Sequence, residues 1–178
     1  PLEIEEGCPH FGICGGCTYQ TLSYDNELKL KERQVRELFE QEGLDVNFLG
    51  IERSPIVEGY RNKMEYTFAT RKYIPTDEFR RMKAEGVDFN NQPGAAGFHV
   101  RGFFDKVVEI DTCHLQEEPT NLIRKAVAAY VLANELPFYN IKSHEGWIRN
   151  LLVRSSTTGE LMVNMVIAYE EKEHRIAL

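Results

Sequence analysis

Hydrophobic and polar positions alternate clearly in the middle of the chain. Between residues 60 and 70, the apolar Met64, Tyr66 and Phe68 interleave with Lys63, Glu65 and Thr67, the period of a strand with one packed face. Residues 98–103 and 106–110 read as a hairpin turning near Asp105, and 147–155 with 160–168 as a second, joined through Thr157-Thr158-Gly159. Elsewhere the period is helical. Tyr24, Leu28, Val35, Leu38 and Phe39 predict a helix capped by Ser23, running to Gln41 or Glu42 and stopped by Gly43. A second helix fits 119–135, with Pro119 in its first turn and an apolar stripe of Leu122, Ile123, Val127, Tyr130 and Val131. Residues 74–95 hold two prolines, a charged stretch and Asn90-Asn91-Gln92-Pro93-Gly94, and are expected to form an inserted loop with a helical turn near 79–85.

Together these elements predict the α+β class: an antiparallel sheet of hairpins, two main helices and an N-terminal cysteine loop holding a metal. The expected organisation is a cysteine loop over 1–20 and a central unit over 21–168. The charged, helix-prone 169–178 would begin a connection to further chain, since no capping or breaking residue closes it.

Composition narrows the function. With 178 residues, 42% of them hydrophobic, the chain can bury a core without staples. No run approaches the roughly 18 apolar residues of a membrane span, and the start lacks a secretory pattern, so a monomeric cytoplasmic protein is expected. The net charge of -7 argues against a uniformly basic nucleic-acid binder. The distribution is uneven, however. Between Arg53 and Lys106 ten Lys or Arg face seven Asp or Glu, a balance of +3 that leaves -10 for the remainder.

Four cysteines carry the most specific chemistry. Cys8, Cys14 and Cys17 stand as C-x5-C-x2-C on a loop with Gly12, Gly15 and Gly16, and the other cysteine is Cys113. In a reducing compartment they are not a disulfide framework. Soft thiolates favour zinc or an iron-sulfur cluster, and four of them complete a ligand set; spacing alone leaves both metals open. His10 and His114 flank ligand cysteines but are read as lying outside the set. Buried, unligated cysteines are the alternative.

The phrase Cys8-Pro9-His10-Phe11-Gly12-Ile13-Cys14-Gly15-Gly16-Cys17, followed by Thr18-Tyr19-Gln20 and a long helix, resembles the cluster-binding segment of the RNA uracil-5-methyltransferase family. Gly59-Tyr60-Arg61-Asn62-Lys63-Met64-Glu65 is similar to the family's Tyr-Arg-Asn-Lys strand. Gly97-Phe98-His99-Val100-Arg101 and Ile110-Asp111-Thr112-Cys113 resemble the approach to its fourth ligand. The resemblance implies a [4Fe-4S] cluster on Cys8, Cys14, Cys17 and Cys113. It also implies an RNA substrate, most naturally large-subunit (23S) ribosomal RNA, with 5-methyluridine as product. Arg61, Asn62 and Lys63 would then meet phosphates, and Phe98, His99 and Arg101 exposed bases.

In that family a cysteine thiolate adds to C6 of uracil and the methyl group comes from S-adenosylmethionine on a separate domain. With all four cysteines committed to metal, and no glycine-rich turn after a strand, this chain is expected to be inactive alone. Two other functions fit the cysteines: an iron-sulfur electron carrier, whose usual cysteine spacings differ from these, and a zinc-stabilised binding module.

Overall fold

Alternation along Lys63–Ala69 translates directly into a central strand, β1, whose Met64, Tyr66 and Phe68 are buried while Lys63 and Glu65 point to the other face. The protein is seen in a computed structural model that describes residues 7–89 and 94–168. The 169–178 connection and positions 90–93 of the expected loop lie outside the described residues. Helix α1 spans Tyr24–Gln41, followed by β1, α2 (Thr76–Ala84), β2 (Ala95–His99), β3 (Val107–Glu109), α3 (Glu118–Ala133), β4 (Ile148–Ser155) and β5 (Leu161–Ile167). The strands form one sheet in the order β3-β2-β1-β4-β5, each pairing antiparallel.

One face of this sheet packs against α3. Tyr66 stacks on Phe98 with ring centroids 5.1 Å apart, and Phe68 meets Phe138 edge-on at 5.2 Å. Val131 of α3, Trp147, Ile148, Leu151 and Val153 complete the core. Gly97 is required where β2 passes between its neighbours. A Cβ there would stand 2.0 Å from the carbonyl oxygen of Val108. The other face of the sheet is open, and Thr67 on it lies opposite Gly97 on one side and Asn150 on the other.

Three expectations need correction. The first hairpin is β2 and β3, with β2 beginning at Ala95 and ending at His99; Val100 still donates to the Lys106 carbonyl at 2.9 Å and bridges Cys14 on its other side. The turn near 79–85 is a nine-residue helix, α2, giving three helices instead of two. Within α3, Leu122 faces solvent, whereas the polar Thr120, Asn121 and Arg124 are buried beside Val131. Helix α1 is capped as expected, the Ser23 hydroxyl accepting from the Asn26 amide at 3.4 Å. Its stripe is little used, for Leu28 is buried but Leu38 is 62% exposed.

Candidate functional site

The cysteine loop is built from tight backbone turns. The Phe11 amide donates to the Cys8 carbonyl at 2.9 Å and the Cys14 amide to the His10 carbonyl at 2.8 Å, with Gly12 at φ +86°. The loop then docks on the end of β2. Gly15 donates to the His99 carbonyl and Arg101 to the Ile13 carbonyl, both at 2.9 Å. A Cβ on Gly15 would meet that same His99 oxygen at 3.1 Å, so glycine permits this close approach. Arg101 also donates from its guanidinium to the Cys17 carbonyl. His10 serves the loop as an anchor, its Nε2 accepting from the Asp111 amide at 3.1 Å.

Cys113 arrives from the opposite side, just beyond β3, and is fixed by α3. The Asn121 side chain accepts from the Cys113 amide at 3.0 Å and donates to the Cys113 carbonyl at 3.2 Å. Arg124, also buried, donates to the carbonyls of Ala96 (3.3 Å) and Asp111 (2.7 Å), tying β2 to the segment that carries Cys113. Sequence reading passed over both residues. Their signal was a pair of polar side chains three apart, on the side of the helix that a purely apolar stripe assigns to solvent.

The two arms converge. Cys8, Cys14, Cys17 and Cys113 all line one cavity of about 960 Å³. Burial pushes the thiols of Cys14, Cys17 and Cys113 up from their ordinary values, and mutual repulsion among the cysteines adds to it. Arg101 opposes this at Cys14, and Arg61 at Cys17 and Cys113. Among the described residues, no group of three or more His, Cys, Asp or Glu side chains is placed to hold a metal ion as it stands. The thiols meet as walls of one cavity, and as four soft donors they are the residues that would hold a zinc ion or an iron-sulfur group.

Five of the six residues expected to meet RNA border this same cavity: Arg61, Lys63, Phe98, His99 and Arg101. Asn62 is not among its lining residues, and its carbonyl accepts from Ser155 at 3.0 Å. Phe98 is half-buried through its stacking on Tyr66. The two connections that lead from a strand to a helix, 70–75 and 110–117, contain no glycine.

No protein-family model matches the chain. Its fold does have a counterpart in the crystal structure of Pyrococcus abyssi tRNA (uracil-54, C5)-methyltransferase in complex with S-adenosyl-L-homocysteine. The TM-score is 0.61 at 24% identity, covering 90% of this chain and 33% of that one. At that identity the likeness is one of fold.

The sequence is similar to proteins named RNA methyltransferases. It is 47% identical over 174 residues to an uncharacterized RNA methyltransferase of Caldanaerobacter subterraneus, covering 97% of this chain and 35% of the relative. It is 38% identical to another from Bacteroides thetaiotaomicron, over the whole of this chain and 38% of that protein. It is 29% identical to the tRNA (uracil(54)-C(5))-methyltransferase of Pyrococcus horikoshii, over 93% of this chain and 34% of the relative. The chain thus spans roughly a third of the length of the curated relatives it matches.

Proposed function

We propose that this chain is the metal-bearing, RNA-recognising part of an S-adenosylmethionine-dependent RNA uracil-5-methyltransferase. One observation carries the reading: four cysteines drawn from two distant segments line a single cavity whose rim also bears Arg61, Lys63, His99 and Arg101. The names of the relatives support the RNA methyltransferase class. The four thiolates would hold a [4Fe-4S] cluster, which with all its protein ligands supplied acts as a cross-link between the N-terminal loop and the β3–α3 connection. The chain's own residues do the rest. Asn121 and Arg124 hold the Cys113 segment in place, while Arg61, Lys63 and Arg101 supply positive charge for the RNA backbone beside it. Methyl transfer belongs to residues outside those described here, and the uracil-directed nucleophile is not one of these four cysteines.

Large-subunit rRNA is the substrate that the resemblance of the cysteine motif implies, while the Pyrococcus horikoshii relative and the Pyrococcus abyssi structure are named for uracil 54 of tRNA. Both RNAs therefore enter the test. Protein purified without oxygen is assayed for iron, acid-labile sulfide and zinc, as wild type and as Cys113→Ser. At full natural length it is given labelled S-adenosylmethionine with 23S rRNA or with tRNA. The reading expects about four irons and four sulfides per chain, lost in the variant, and label in uracil of 23S rRNA. Label in tRNA alone would move the substrate. Stoichiometric zinc without sulfide would replace the cluster by a zinc module, and reversible one-electron cycling without RNA methylation would favour the electron carrier.

A further inference from the structure

The open face of the sheet holds a second cavity, of about 370 Å³, that the cysteines do not reach. Its floor is a chain of polar side chains across three strands. The Asn150 amide donates to the Thr67 hydroxyl at 3.4 Å, and that hydroxyl is 3.2 Å from Nε2 of His99. This fixes the plane of the Asn150 carboxamide and leaves its oxygen and second N–H for a ligand. One wall is the turn after Phe138. The Asn140 side chain accepts from the Lys142 and Ser143 amides at 3.0 and 3.4 Å, and the Asn140 amide donates to the Glu145 carbonyl at 2.7 Å, so the wall is preformed. The Arg149 guanidinium lies over the Tyr139 ring, 5.1 Å from its centre. Arg71 is exposed and has no ion-pair partner among the described residues.

Two further facts select the kind of ligand. The two cavities share His99, Phe104 and Ile141, so they are successive stations of one groove, with Phe104 standing 70% exposed between them. Along that groove stand the cations Arg61, Lys63, Arg101, Arg71, Lys142 and Arg149 against the carboxylates Glu65 and Asp105, in a chain whose net charge is -7. A cationic track with exposed aromatic rings and a carboxamide fits a polyanion that carries flat, hydrogen-bonding groups at intervals.

We propose that this second cavity binds one nucleotide of a single-stranded RNA segment running on from the cysteine-lined cavity. Asn150 reads a base edge that offers an N–H beside a carbonyl, as uracil and guanine do. Phe104 supplies a stacking surface, and Arg71 and Arg149 take the flanking phosphates. The inference rests on the RNA reading above and adds a site to it.

The test uses the protein at its full natural length with a fluorescein-labelled single-stranded U12 RNA, followed by anisotropy across a salt series. The same oligonucleotide carrying 4-thiouridine is used for photocrosslinking. Asn150→Ala and Arg149→Ala are each expected to weaken binding at least about fivefold. Arg71→Gln should flatten the slope of log affinity against log salt by about 0.7, the signature of one lost phosphate contact on a single strand. Crosslinks should fall on peptides containing Phe104 or Tyr139. Arg154→Gln, on the same strand but outside both cavities, should leave all of this unchanged. If Arg101→Ala weakens binding while the Asn150, Arg149 and Arg71 variants bind like wild type, the second site is refuted and the RNA reading stands. Absence of RNA binding by the wild type overturns both.

Discussion

Removing the Asn121 side chain tests whether α3 positions Cys113. In Asn121→Ala the Cys113 amide and carbonyl lose partners at 3.0 and 3.2 Å inside the protein, where Asn121 is 1% exposed. Each buried backbone group left unsatisfied costs about 1–3 kcal/mol, so the pair should cost about 2–4 kcal/mol after partial relaxation. That is a large share of the roughly 5–15 kcal/mol that stabilises a typical domain. The assay is urea unfolding followed by fluorescence of Trp147, the sole tryptophan and 1% exposed, on metal-free and metal-loaded protein. With a urea dependence of about 2 kcal/mol per molar, the midpoint should fall by about 1–2 M. Asn121→Asp separates the two bonds. It keeps the acceptor for the Cys113 amide, loses the donor to the carbonyl, and sets a carboxylate against Glu118 Oε2, which now lies 3.3 Å from the Asn121 nitrogen. Repulsion and burial raise that new carboxyl, so its destabilisation should be greatest at neutral pH and relax as acid protonates it. A midpoint shift of Asn121→Ala below about 0.3 M would refute the reasoning, since Cys113 would then be held by something else.

Gly97→Ala should destabilise the sheet by about 2–3 kcal/mol or prevent folding, because its methyl group would need to occupy a point 2.0 Å from the Val108 oxygen; the same urea titration decides. The Lys142 ammonium, 2.5 Å from Asp105, holds that carboxyl below the usual range, so its contribution is present above the unfolded value and is lost as pH falls through the folded one. Lys142→Met should raise Asp105 toward the ordinary carboxylate range in a carbon-detected NMR titration, and the stability difference from wild type should shrink as pH falls through the folded value. Arg101→Ala frees the Cys17 carbonyl from its guanidinium partner while sparing the backbone bond to Ile13. On the proposed cluster reading, it should speed loss of iron in air several-fold without unfolding the sheet, measured by iron release beside Trp147 fluorescence.

Much of this architecture is written in local chemistry. The Ser23 cap, the alternation of β1 and the β4–β5 hairpin each depend on neighbours in sequence, and reading the sequence places them within a few residues. What sequence could not supply is set by partners far along the chain. Val100 continues an apolar alternation and keeps its bond to Lys106, but the docking of the cysteine loop on the carbonyl of His99 and the amide of Arg101 beside it has no local signal. Leu122 counts toward a stripe but points outward, because α3 must turn Asn121 and Arg124 toward Cys113 and Asp111. The four cysteines, singled out by residue type, do come to line one cavity. The second cavity was not, since Thr67, His99 and Asn150 come from three strands and become neighbours only through sheet register.

The docking of residues 13–15 onto 99–101 also has a consequence in time. A ribosome releases the chain from its N-terminus at about 5–20 residues per second. Cys8, Cys14 and Cys17 thus emerge roughly 5–20 seconds before Cys113 and the strand end that receives their loop. Throughout that interval three thiols stand on an unpaired glycine loop with nothing to close against. The loop can settle only once residues 99–101, which receive it, have emerged.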